Sequence, residues 1–559
     1  MYFLKLILKG LSALLLLLIL IYPYHTTTAQ MPADTIVEAD HQPTTDSRKF
    51  NSITEQINER FTPFVDGLAS VLFWDPFAAA GVYDQQVYDT QGKPVTDTEG
   101  KPVKAPLKLI VLWLMAGGLF FTVYLRFINI RAFRHSIGLI MGKHDKPGSS
   151  GEVSHFQALT TALSATVGLG NIAGVAIAIS IGGPGATLWM IMAGLLGMSL
   201  KFSECTLGLK YRTIDKDGRV SGGAMYYLRE GLARKGLGKL GWFLAVLFSI
   251  MVIGGSVGGG NMLQANQAFE QFASFFPQVD DFGFWYGIVM AVLVGLVIVG
   301  GIRSIARVTS RIVPVMALIY VTASMIIILM NIQQAPHVLS LIWNGAFEAE
   351  AMRGGFIGVL IFGFQRGAFS NEAGVGSASI AHAAARTSEP VSEGIVSLLE
   401  PFVDTVIICT MTAMVIIFSG VYEQGQGIQG VQLTSAAYAS VFSWFPYVLL
   451  VAVTLFAFST MISWSYYGMK GFDFLFGGLS QKLFGSRNYS NQLFNLLFLL
   501  CIVIGTSSNL GPVMDFSDMM VLCMAFPNLL GLFILAPEVR RDMKKYWQQH
   551  RAIKSADKA

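Results

Sequence analysis

Between His155 and Gly185 the chain sets Thr166, Gly168, Gly170, Asn171 and Gly174 in the middle of an apolar run, with no charged side chain from Glu152 to Lys201. Residues of these types make and break no bonds; their chemistry is to hold a small polar guest. Each glycine costs a helix about 1 kcal/mol relative to alanine, so the run reads as a helix interrupted halfway. A glycine has no Cβ, which lets a ligand come close to its backbone. Freed carbonyls suit an ammonium group or a hard cation, which takes oxygen ligands. The amino-terminal end of a half-helix suits a carboxylate. Asn171 can turn an amide oxygen to a cation or an amide N–H to an anion. A packing face built on Gly170 and Gly174, four residues apart, is the alternative. It accounts for the glycines but not for Asn171.

A second stretch repeats the pattern. GFIGVLIFGFQRGAFSNEAGVGSASIAHA, residues 355–383, carries Gly367, Asn371, Gly374 and Gly376 beside Arg366 and Glu372. Phe369, Ser370 and Asn371 are therefore candidates for the same site as Thr166, Gly168, Gly170 and Asn171. Interrupted spans at corresponding places in two halves are the best sequence pointer to a midplane binding site. Gln264 can reach a guest or a neighbouring loop. Trp464 and Tyr467 can cap a pocket or anchor at a membrane boundary. Charges inside spans need partners. Arg366 can pair with Glu372 or with Asp404, and Asp404 can instead face a cation. Glu400 and Asp404, four apart, are expected on one helical face. Glu204 beside Lys201 reads as structural. His382 is a candidate for proton coupling, or a satisfied core histidine.

The elements that position these groups follow from composition. The 559 residues are 53% hydrophobic and only 13% charged, with a net charge of +4 and a mean hydropathy of +0.54. Soluble domains carry about 25% charged residues, so this is a polytopic all-α membrane protein. No basic tract interleaved with aromatics points to nucleic acid. The four cysteines, Cys205, Cys409, Cys501 and Cys523, lie far apart in apolar segments and read as core residues. HExxH, GxSxG and phosphate-loop motifs are absent, so an enzyme is not expected.

Residues 1–29 have the layout of a signal peptide, with Lys5 and Lys9 before an apolar run and cleavage expected after Ala29. An uncleaved anchor is the alternative. Residues 30–106 form an exported segment. It holds an interfacial or re-entrant helix over 61–77 and a small hairpin where GKPV recurs at Gly92 and Gly100. Eleven apolar segments follow, near 107–127, 156–182, 186–209, 240–264, 283–302, 312–331, 355–383, 394–420, 446–468, 491–508 and 519–537, before a tail over 541–559.

Loop charge sets the expected orientation. Alternate loops hold Arg126, Arg131 and Arg134, then Arg212, Arg219 and Arg229, then Arg303, Arg307 and Arg311, then Arg386, then Lys470 and Arg487. The intervening loops 183–185, 265–282, 421–445 and 509–518 have no Lys or Arg, and 332–354 has only Arg353. The mature amino end is thus expected outside (periplasmic) and the carboxyl end in the cytoplasm. Ten spans remain after the leading one. Two groups of five, over about 156–331 and 355–537, must be oppositely oriented because five is odd.

Several strings together resemble the alanine or glycine:cation symporter family: TVGLGNIAGVA, KFSECTLGLKYR, SGGAMYYL, GGNMLQANQ, RGAFSNEAGVGSASIAHAAA and FSTMISWSYYG. The similarity covers roughly 107–540. It implies the leucine-transporter-type 5+5 inverted repeat with one additional leading helix. It further implies sodium-coupled import of a small neutral amino acid through the inner (plasma) membrane. A proton-coupled relative and, further off, a passive channel are the rivals. The resemblance supports Gly168, Gly170 and Asn171 as site residues. Its sodium site matches the hydroxyls of Ser459 and Thr460 with Ser164, Ala165 and Val167. For such hydroxyls the alternative is a bond to a carbonyl one turn back in their own helix. Met469 stands where the family commonly has an acidic residue, and the resemblance does not extend to the segment before 107.

Overall fold

A computed structural model describes residues 61–68, 70, 75, 109–142, 149–215, 218–276, 282–347, 355–423 and 430–556. The expected signal peptide and the GKPV hairpin lie outside the described residues.

The leading helix α1 (Leu109–Tyr124) precedes a broken span made of α2 (His155–Thr166) and α3 (Ala173–Gly182), bent by 55°. Then come α4 (Ala186–Lys210), the hairpin β1 (Thr213–Ile214) and β2 (Val220–Ser221), α5 (Gly238–Phe275), α6 (Gly283–Ile298) and α7 (Gly301–Met330). After α8 (Ala335–Phe347) a second broken span follows, α9 (Gly355–Asn371) and α10 (Ala378–His382). The chain continues through α11 (Pro390–Ser419), α12 (Gly430–Ala439), α13 (Phe445–Phe484), α14 (Asn488–Thr506), α15 (Leu510–Cys523) and α16 (Ala525–Ala556).

Each of the eleven apolar segments thus holds helix, and each group of five opens on an interrupted one. This is the expected 5+5 arrangement with a leading helix. The first broken span starts firmly: Ser154 caps α2 by accepting from Gln157 N–H, while the Gln157 side chain accepts from Ser154 N–H.

Several expected loops prove to be helical. The stretch 509–518 lies almost wholly in α15. Within it Asp518 is buried and paired. The stretches 332–354 and 421–445 contain α8 and α12, and α13 runs well past 468, to Phe484. Residues 61–68 are helical, inside the expected interfacial segment, and pack through Val65 on Phe516 and Met519 of α15.

Candidate functional site

The first break releases backbone oxygens. In an unbroken helix the carbonyls of Ser164, Ala165 and Val167 would receive the amides of Gly168, Leu169 and Asn171. Here Gly168 N–H donates to Asn171 Oδ1 (2.9 Å), Leu169 N–H to Gln264 Oε1 (3.1 Å) and Asn171 N–H to the Gly168 carbonyl (3.3 Å). The three carbonyls lose their helical partners. Gln264 also donates to the Gly259 carbonyl (2.8 Å), which ties the unwound strand to a π-helical turn of α5 over Gly258–Met262. Its amide serves the protein's own backbone.

The released Ser164 carbonyl faces α13. Thr460 Oγ1 donates to the Ser164 carbonyl (2.9 Å), and Ser164 Oγ donates to the Ser459 carbonyl (2.7 Å). A Cβ on Gly168 would sit 2.6 Å from Thr460 Oγ1, so only glycine lets the two elements meet. Ser459 turns its hydroxyl to the Phe456 carbonyl of its own helix (3.0 Å). Neutral oxygens from two elements with no charged group among them form a donor set of the kind a hard cation takes.

The second break is longer and is held from outside. Glu372 has φ 54°, an unusual conformation for a side chain with a Cβ, and Gly374 and Gly376 are also left-handed, at φ 92° and 88°. Trp464 Nε1 donates to Glu372 (3.0 Å), and Ser377 Oγ donates to its other oxygen. Asn371 donates to Thr405 Oγ1 (3.0 Å) and accepts from Ala373 N–H (2.9 Å). Asn528 of α16 donates to the Gly374 carbonyl (2.8 Å) and to Glu204 (2.7 Å).

The two breaks touch. A Cβ on Gly170 would lie 3.5 Å from Ser370 Cα and 3.7 Å from the Phe369 ring, close but open. Phe369 also approaches Gly259, and Trp464 lies flat against Gly260, leaving no room there for a Cβ. Between the breaks sits Asp404, fully buried. Its carboxylate accepts from Asn171 Nδ2 (2.6 Å), Ser370 Oγ (2.8 Å) and Thr405 Oγ1 (2.7 Å). Among the described residues, no lysine, arginine or histidine pairs with it.

The other charges are assigned differently from expectation. Arg366 pairs with neither Glu372 nor Asp404. It forms a two-pronged pair with Asp518 of α15, one prong at 3.1 Å, and Gln365 adds a bond at 3.0 Å. Glu400 and Asp404 take separate partners. The chain winds as a π-helix over Phe402–Cys409, which carries Asp404. Glu400 pairs with Lys201 (2.7 Å). His382 bonds Glu393 (2.6 Å), and Glu393 also holds His155 at the start of α2. Thr166 is not drawn in; its hydroxyl returns to Ala162 and Leu163.

The structure therefore gathers Ser164, Ala165, Val167, Gly168, Gly170, Asn171, Gln264, Phe369, Ser370, Asn371, Ser459, Thr460 and Trp464 around one junction, and leaves Thr166 facing its own helix. Thr405 and Asp518 escaped the sequence reading. Asp518 had a usable signal: Arg366 needs an acid, and this one stands at the edge of a strongly apolar segment.

A profile of the sodium:alanine symporter family matches residues 95–559. The sodium/alanine symporter AgcS of Methanococcus maripaludis is 38% identical over 439 residues, covering 78% of this chain and 93% of that protein. The probable sodium/glutamine symporter GlnT of Bacillus subtilis is 34% identical over 449 residues, covering 80% and 89%. Among solved structures, MhsT in complex with L-phenylalanine aligns with a TM-score of 0.48 and 13% identity, over 70% of this chain and 98% of that one.

Proposed function

This chain belongs to the sodium:alanine symporter family, and we propose that it imports a small neutral amino acid, alanine or glycine, together with sodium. The observation that carries this reading is Asp404. A carboxylate buried in a membrane protein is costly without a cation, and Asp404 lies at the meeting of both breaks with only neutral donors around it. The ammonium group of an amino acid, or a sodium ion beside it, supplies the missing charge. The substrate carboxylate would meet the Gly170 amide and the positive end of α3. Phe369 and Trp464 bound the space left for the side chain and favour a small one.

Sodium would be held by the carbonyls of Ser164, Ala165 and Val167 with the hydroxyls of Thr460 and Ser459. Binding there pins the unwound strand to α13 and so completes the amino-acid pocket from the other side. Sodium and substrate are coupled because the same few residues of backbone serve both. Alternating access then exposes the pair to each face in turn. One charge moving with the membrane potential gains about 2.3 kcal/mol per 100 mV, enough to concentrate a neutral solute. This is a carrier's chemistry and involves no covalent step.

Loop charge supports placing the protein in the plasma (inner) membrane with its mature amino end outside and α16 ending in the cytoplasm. A proton-coupled mechanism is the competing reading. It draws on the buried chain His155, Glu393, His382, Glu400 and Lys201. Uptake of radiolabelled alanine into proteoliposomes decides between them. An inward sodium gradient should drive accumulation that unlabelled glycine competes away and glutamine does not. Equal uptake without sodium under an inward proton gradient would overturn sodium coupling.

A further inference from the structure

A cavity of about 420 Å³ lies far from the junction, between the β1–β2 hairpin, residues 226–229, the later turns of α13 and the first turn of α14. Arg219, Arg229, Lys470 and Arg487 converge on it from three separate parts of the chain, while the acids lining it are Asp215 and Asp473. We propose that this cavity binds a phosphate-bearing anion.

Two of the four cations hydrogen-bond to neutral acceptors, although Asp473, Glu152 and Asp215 lie near Lys470. Lys470 donates to the Val220 carbonyl (2.7 Å), and Arg219 to Asn488 Oδ1 (3.1 Å), both neutral acceptors. Arg487 reaches Asp473 only at 3.4 Å. Arg229 bonds Glu230 through Nε and lies over the rings of Phe474 (5.3 Å) and Tyr226 (5.9 Å). Its other guanidinium nitrogens stay available on a side chain already fixed in place. A guanidinium carries five donors in a rigid fork, matched to phosphate oxygens. Three guanidinium groups and an ammonium therefore offer many more donors than the protein itself consumes. The volume exceeds a lone phosphate and leaves room for an attached organic group against Tyr226 and Phe474.

The walls connect this cavity to the transport site. Lys470 lies on α13, the helix that carries Thr460. Val220, which accepts from Lys470, donates its N–H to Glu152 (2.7 Å), just before α2. An anion here would fasten the hairpin, α13 and the approach to the first broken span to one another. With the orientation proposed above, the cavity opens on the cytoplasmic face. The phosphate could then belong to an anionic lipid of that leaflet or to a soluble metabolite.

The test uses the full chain in nanodiscs of phosphatidylcholine at fixed ionic strength. Pyrophosphate is the soluble probe, and replacing part of the lipid with phosphatidylglycerol is the lipid probe. Thermal unfolding and pyrophosphate titration are the readouts. At least one probe should raise the unfolding temperature. The Arg219→Gln/Arg487→Gln variant should weaken pyrophosphate binding, or erase the lipid response, by about tenfold, with alanine binding unchanged. The single Arg219→Gln variant, at an exposed position, should give a smaller shift and serves if the double variant misfolds. A response to pyrophosphate alone assigns a soluble anion, and one to phosphatidylglycerol alone assigns a lipid. No response to either, or equal responses in wild type and Arg219→Gln, overturns the proposal. Neither readout requires transport, so the amino-acid reading stands or falls separately.

Discussion

The two interrupted spans meet at one place but are broken by different means. The first break carries no charge of its own; Asn171 reaches back to the Gly168 amide, and Gln264 and Asp404 hold it from neighbouring helices. Its Ser164 carbonyl turns to α13, where the Thr460 hydroxyl meets it. The second break carries Glu372 in a left-handed conformation, and neighbouring helices hold it through Trp464 and Asn528. An uncharged break whose Ser164 carbonyl is offered to α13 is suited to respond to an ion. A break pinned on several sides is suited to stay still while the other moves. The first should therefore govern sodium dependence and the second stability, and substitutions can separate the two.

Asp404 belongs to both breaks, so its loss should cost most. Asp404→Asn should lower the initial rate of alanine uptake by about 100-fold or more, with normal migration on size exclusion. Uptake near wild type would remove Asp404 from the site. Gly168→Ala comes next. Its Cβ would press on Thr460 Oγ1 at 2.6 Å, and uptake should fall by about 30-fold at any sodium concentration. Gly170→Ala has room at 3.5 Å and should instead favour glycine over alanine, read as a competition ratio.

Thr460→Ala should raise the sodium concentration for half-maximal uptake by about tenfold without altering expression. Ser459→Ala should move it by less than about threefold, since that hydroxyl already bonds its own helix. Equal shifts in the two variants would mean that Ser459 holds the ion as firmly as Thr460. The smallest effect on transport is expected at the second break. Glu372→Gln keeps the shape but weakens the bond from Trp464. It should lower the unfolding temperature by about 4 °C and leave the half-maximal sodium concentration unchanged. A large sodium shift there would erase the distinction between the breaks.

Both breaks were legible in the chain because glycines and asparagines have few other reasons to sit in mid-membrane apolar runs. The order of helices was legible from hydropathy alone. What the chain concealed is what depends on long-range pairing or on departures from the regular helix. Arg366 finds Asp518, 152 residues away, and no local pattern announces that pair. Glu400 finds Lys201, 199 residues away, while Asp404 collects Asn171, Ser370 and Thr405, and spacing alone does not separate those roles. Gln264 has the right chemistry for a guest, yet its amide closes the gap left by an unwound backbone. Helices such as α8 and α12 were hidden because they are short and lie between spans.

The most direct test of the site is the sodium dependence of substrate binding itself. Radiolabelled alanine can be titrated onto the purified protein in nanodiscs, in sodium chloride and in choline chloride of equal strength. Sharing of the first break by ion and amino acid predicts that sodium tightens alanine binding by about tenfold or more, and that Thr460→Ala removes most of this gain. The same affinity in sodium and in choline would contradict it.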